Sequence, residues 1–116
     1  MWNRRAEHEG SVPLADAIRN HLPLFADRAV AALPSGFPQI PAIAERGIRR
    51  YRLCLESLDA RLADSRFLAG EDFSIADITA FVTADFAKRI QEVIPGQHRH
   101  LARWRAAVAA RPSAAA

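Results

Sequence analysis

Residues Ser74 to Ala87 constrain the fold more than any other stretch of this chain. Ser74-Ile75-Ala76-Asp77 has the spacing of a capping box. A serine stands ahead of the first helical turn and a carboxylate three positions on, so each side chain can bond the other's backbone N–H. Phe73 just before the cap and Ile78 just inside it are placed to form a hydrophobic staple. Behind them Ile75, Ile78, Ala80, Phe81, Val82 and Phe86 make a segment that is apolar nearly all round, with charge only at Asp77 and Asp85. A helix without a polar face belongs at the centre of a bundle. The segment therefore predicts a buried central helix from Ser74 to about Glu92, closed by Pro95-Gly96.

Three other regions carry helical spacing. The first covers roughly residues 2–21, and Gly10 and Pro13 near its middle predict a kink or break. The second runs from about Ala42 to Ala63. Ala44, Ile48, Tyr51, Leu55, Leu58 and Leu62 step by 3 and 4 along one stripe, and charges fill the other faces. The last, about Gln97 to Arg111, presents Leu101, Trp104 and Val108 on one side before Pro112 stops it. Between the first and second helices, Pro23, Pro34, Pro38, Pro41 and Gly36 leave room for only a short helix over Leu24–Leu33. No segment alternates apolar and polar residues as a half-buried strand does. The expected fold is all-α, a bundle of four to five helices around the Ser74–Glu92 helix, in a single domain over residues 1–116.

Composition excludes several classes. Half of the 116 residues are hydrophobic and a quarter charged, which fits a globular domain and not a disordered chain. No apolar run approaches the ~20 residues of a membrane span, and the start, Met1-Trp2-Asn3-Arg4-Arg5, lacks a signal peptide's apolar core. A single cysteine, Cys54, excludes an intramolecular disulfide framework and a cysteine-rich zinc site, and points to a reducing cytoplasm. The formal charge of +3 is modest. Arg46, Arg49, Arg50 and Arg52 cluster around Tyr51, but Glu45, Glu56 and Asp59 interrupt them and no nucleic-acid motif accompanies them. A solvated helix face or a dimer contact is expected there, with neither nucleic acid nor membrane as partner.

Phe67-Leu68-Ala69-Gly70, then Phe73-Ser74-Ile75-Ala76-Asp77, then Trp104-Arg105-Ala106-Ala107-Val108-Ala109-Ala110-Arg111-Pro112 occur in an order that resembles the all-helical C-terminal domain of cytosolic glutathione transferases, bacterial in type. The resemblance covers essentially the whole chain, which starts inside that domain's first helix. It implies a parent activity in which glutathione sulfur is transferred to an electrophilic carbon. In that family a preceding thioredoxin-like domain holds glutathione as co-substrate and supplies the thiol-activating residue, and this chain contains no such domain. Glu56-Ser57 matches the family's γ-glutamyl-binding pair only as a dipeptide, since it lies inside a helix. Tyr51 and Cys54 also fall mid-helix as core residues. The implied role is a wall of the electrophile pocket and much of a dimer surface. No catalytic residue and no bound cofactor are expected in this chain, and the isolated chain is expected to be inactive. The expected partner is a second copy or a thioredoxin-like domain. The alternative is a non-enzymatic helical module used for protein association.

By the same resemblance the first helix faces the glutathione cleft. Trp2 and Arg5 share one helical face with Ala6 and Glu9, while Arg4 and His8 lie on the adjoining one. Arginine suits a glutathione carboxylate and Trp2 an apolar acceptor. Ser74, Asp77, Phe73 and Ile78 are expected to be structural. His98-x-His100 points to two sides of a helix, so no metal site is expected; a solvent-facing pair is. Asp85, inside the apolar helix, needs pairing, protonation or exposure, with Arg50 or Arg103 as candidate partners.

Overall fold

The computed structural model describes residues 2–22, 29, 36 and 38–111, and every regular element in them is helical. The chain opens with α1 (Trp2–Arg5), passes through a π-helical segment (Ala6–Ser11) and continues as α2 (Val12–Arg19). Then follow α3 (Pro41–Ala63), α4 (Ile75–Phe86) and α5 (Arg99–Ala109). The expected helix over Leu24–Leu33 and the chain end from Pro112 lie outside the described residues.

Of the kink or break expected near Gly10 and Pro13, the chain shows no break but a local irregularity, the π-helical segment Ala6–Ser11. The first helix stays continuous by widening: the Val12 N–H reaches back five residues to the Glu7 carbonyl. A proline ring in a regular helix meets the carbonyl four residues earlier. Widening the turn just ahead of Pro13 relieves that crowding without ending the helix, and such π turns are a common way to absorb the defect. Gly10 also favours the close packing of this segment. A Cβ there would come within 3.3 Å of the Cys54 sulfur, so the π segment presses closely against α3.

The α3 stripe is buried as its spacing predicts at Ala44, Tyr51, Leu55, Leu58 and Leu62, all under 6% exposed, while Ile48 of the same stripe is only partly buried. It approaches α2 closely at Gly47, where a Cβ would lie 2.4 Å from the Pro13 carbonyl oxygen. Leu101, Trp104 and Val108 of α5 complete this core. Between α3 and α4 the chain turns sharply at Phe67 and Gly70, whose backbones exchange two hydrogen bonds, and Gly70 sits at φ 141°, open only to glycine. The Ser65 hydroxyl bonds the carbonyls of Phe67 and Gly70, and Arg61 Nε donates to the Leu68 carbonyl.

α4 buries Ala76, Asp77, Ala80, Thr83 and Ala84 against the π segment, α1 and α5. Its last turn tightens into a 3-10 helix, Ala87–Ile90, which ends on Gln91 in the left-handed conformation. The residues in its buried stripe are small, so neighbouring helices approach closely. The large ones, Ile75, Ile78, Val82 and Phe86, point the other way and are 45–64% exposed. Among the described residues nothing covers that ridge.

Candidate functional site

Ser74 caps α4 from an extended conformation and closes the capping box with Asp77. The Ser74 N–H donates to Asp77 Oδ2 at 2.9 Å, and the Ser74 hydroxyl donates to the same oxygen at 3.2 Å. Asp77 is fully buried, and its other oxygen is equally occupied. Oδ1 accepts from the Leu68 N–H at 3.0 Å and from the Trp104 indole N–H at 2.7 Å. The carboxylate therefore ties together the Phe67–Gly70 turn, the start of α4 and the middle of α5. The capping spacing reveals one of these partners, Ser74. Leu68 and Trp104 are partners that no local pattern could show. Phe73 stands edge-on to Phe67 with ring centroids 5.8 Å apart, while Ile78 is half exposed and lines a groove with Phe73.

The first-helix candidates separate into two pairs. Trp2 packs partly into the core with Arg5 over its ring at 4.3 Å and Arg61 at 5.8 Å. Arg5 also bonds Ser57 at 2.8 Å and pairs with Glu9 at 3.3 Å, so its guanidinium bridges the first helix to α3. Arg4 and His8 are exposed, and the His8 carbonyl accepts from Arg50.

Cys54 lies under this contact. Burial pushes its thiol up to about 11, with Glu9 adding to the rise and Arg5 opposing it, so at neutral pH it is a protonated core residue. Burial, reinforced by Cys54 and Glu92, raises the Tyr51 hydroxyl far above its ordinary range, and its oxygen has no hydrogen-bond partner among the described residues. Neither group is poised to activate a thiol.

Two sequence expectations are corrected. Asp85 pairs with neither Arg50 nor Arg103; it is exposed, 3.2 Å from Lys88 and 3.5 Å from Arg105. Exposure and two nearby cations remove the need for a buried partner. His98 and His100 are not a solvent-facing pair. His98 is buried, with Nδ1 3.8 Å from Asp59, because it stands at the entrance of α5 where that helix meets α3. No cluster able to hold a metal occurs among the described residues.

The α4 ridge is flanked by two grooves. One, of about 650 Å3, lies against α2 and is floored by Leu14, Ile18, Leu22, Ile78, Val82 and Phe86. Its polar end is the Ser11 hydroxyl bonded to Thr83, whose own hydroxyl donates to the Thr79 carbonyl at 2.8 Å. The other, of about 450 Å3, lies against α5. Both are shallow, and a ridge between two grooves is a shape that a partner's surface can cover.

The family described as "Glutathione S-transferase, C-terminal domain" matches residues 41–107. Among solved structures, a glutathione S-transferase domain-containing protein of Marinobacter aquaeolei VT8 superposes with a TM-score of 0.86 at 32% identity, over 98% of this chain and 53% of that one. A Gtt2-class glutathione S-transferase of Vibrio parahaemolyticus gives 0.76 at 27% identity, over 98% and 48%. Gtt2 of Saccharomyces cerevisiae, at 24% identity, shares the fold with a TM-score of 0.87 over 99% and 52%. No curated sequence relative matches. The chain spans about half the length of these solved relatives. The order of helices, the capped α4 and the match over α3 to α5 together place the chain in the glutathione S-transferase family, as its C-terminal helical domain.

Proposed function

We propose that this chain is the helical half of a cytoplasmic glutathione transferase. It furnishes the apolar wall of the acceptor pocket and part of a dimer surface, and it needs a thioredoxin-like half for thiol chemistry. The observation that carries this reading is the uncovered α4 ridge, Ile78, Val82 and Phe86, beside the apolar α2 groove. Exposed large residues in register on one helix mark a surface made to be covered. The parent reaction needs a thiolate held near an electrophilic carbon, which rests on a lowered thiol pKa and on proximity. An apolar wall contributes acceptor binding and excludes water. In this reading Arg4 and His8 are the accessible cleft residues of the first helix, and Trp2 and Arg5 set the position of that helix on α3.

The test is conjugation of glutathione to an aromatic halide by the purified chain. The expected rate equals that of buffer, and turnover above it would overturn the proposal. The same ridge also suits a non-enzymatic module that associates with other proteins. An in-frame thioredoxin-like stretch upstream of Met1 supports the enzyme; a stop codon and ribosome site there support the module.

A further inference from the structure

We propose that Pro13 and Arg50 are positioning residues: together they hold one extra residue in the first helix, and so decide which of its arginines is left accessible. The Val12 N–H donates to the Glu7 carbonyl, five residues back, where a regular helix would use His8. At the five-residue spacing the donor for His8 would be residue 13, and that residue is a proline, which has no N–H. The His8 carbonyl is therefore left without a main-chain donor at either spacing. The Arg50 guanidinium supplies one at 3.4 Å. Pro13 itself is fully buried, with its carbonyl against Gly47, one turn before Arg50 on α3. One stretch of α3 thus seats the proline and serves the carbonyl that the proline leaves unpaired.

The extra residue has a rotational consequence. A regular helix advances about 100° and about 1.5 Å per residue. With α2 held at Pro13, closing the π turn to regular spacing would turn residues 2–5 by about one such step. Each would then yield its place to the residue that follows it. Asn3 would take the seat of Trp2 against the core, and Ala6 would take that of Arg5 beside Ser57. Arg5 would stand where Arg4 is now exposed. In the π register Arg5 is instead tied down, to Ser57 at 2.8 Å and to Glu9 at 3.3 Å. Asn3 likewise has a fixed place, accepting from the Thr79 hydroxyl of α4 at 2.6 Å. That Arg4 is the arginine offered to a glutathione cleft rests on the transferase reading; the register itself does not.

The experiment reads the register of the purified chain in two ways. NMR coupling through the hydrogen bond identifies the carbonyl that accepts from Val12. Mass spectrometry ranks Arg4 and Arg5 by their reaction with phenylglyoxal. The native chain should couple Val12 to Glu7 and label Arg4 faster than Arg5. Pro13→Ala with Arg50→Met supplies an N–H at residue 13 and removes the side-chain donor to His8. In that double variant the coupling should pass from Glu7 to His8, and the labelling order should reverse. Pro13→Ala with His8 deleted has a regular helix without the extra residue, so the native labelling order should return. Native coupling or native order in the double variant overturns the proposal. So does a reversed order in the deletion variant, which remains decisive if the double variant fails to fold. Neither readout needs glutathione, so both decide the register separately from the transferase reading.

Discussion

The indole N–H of Trp104 donates to Asp77 Oδ1 at 2.7 Å, joining α5 to the cap of α4 across 27 residues. With the Leu68 and Ser74 N–H groups on the same carboxylate, Asp77 satisfies three donors and the Ser74 hydroxyl at once. Asp77→Ala leaves buried donors without acceptors, each costing about 1–3 kcal/mol, so a total loss of roughly 3 kcal/mol or more is expected. Ser74→Ala removes only cap contacts and should cost about 1 kcal/mol. Urea midpoints of the two variants measure the ranking, and equal losses would deny Asp77 its long-range role.

Gly47 marks a tight helix crossing, since a Cβ there would lie 2.4 Å from the Pro13 carbonyl oxygen and 3.1 Å from Ala17. Gly47→Ala in a mid-helix position would ordinarily stabilise by up to ~1 kcal/mol through propensity. Here it must push α2 off α3, and a net loss of about 2 kcal/mol is expected from overpacking. Thermal melting that rises on substitution would show that the crossing is looser.

Tyr51 is 2% exposed and its hydroxyl meets no hydrogen-bond partner among the described residues. Tyr51→Phe removes an unsatisfied buried group without opening a cavity, so stability should rise by about 1 kcal/mol. Denaturant midpoints of the two proteins measure this change.

The native chain should weaken in alkali. Tyr51 and Cys54 both have folded pKa values raised by burial, Cys54 from 9.0 to about 11 and Tyr51 above its ordinary 10.0. The folded state therefore holds protons that the unfolded state releases. Their contribution is complete below pH 9 and is lost as pH rises from there towards the folded values. Tyr51 is the only tyrosine, so absorbance at ~295 nm reports it alone. Tyrosinate should appear together with unfolding, not before it.

Asp59 accepts the Leu101 N–H at 2.8 Å through Oδ1, capping α5 from α3 in place of a local cap residue. Asp59→Ala should cost roughly 1 kcal/mol. Amide exchange should quicken first at the start of α5, and uniform exchange across α3 and α5 would contradict the assignment.

The helices that a local pattern can specify were legible in the residues themselves. Ser74 and Asp77 announce the start of α4 because a cap needs only neighbours along the chain. Leu58 and Leu62 announce the α3 stripe because helical geometry puts them on one face. The resemblance carried by Phe67–Asp77 and Trp104–Arg111 named the family for the same reason, since it rests on ordered short motifs. The fold alone decided what depends on distance through space. Gly10 and Pro13 read as a kink or break, yet the chain runs on through a widened π turn that packs against α3 and α4. The apolar text of α4 reads as buried on every side. Only packing decides that its small residues, Ala76, Ala80 and Ala84, face the core while Ile78, Val82 and Phe86 face outward. Hydropathy records how apolar a side chain is, and whether a neighbour stands against it is a property of the assembled bundle. Asp77 with Trp104, and Asp59 with Leu101, belong to that second kind of information.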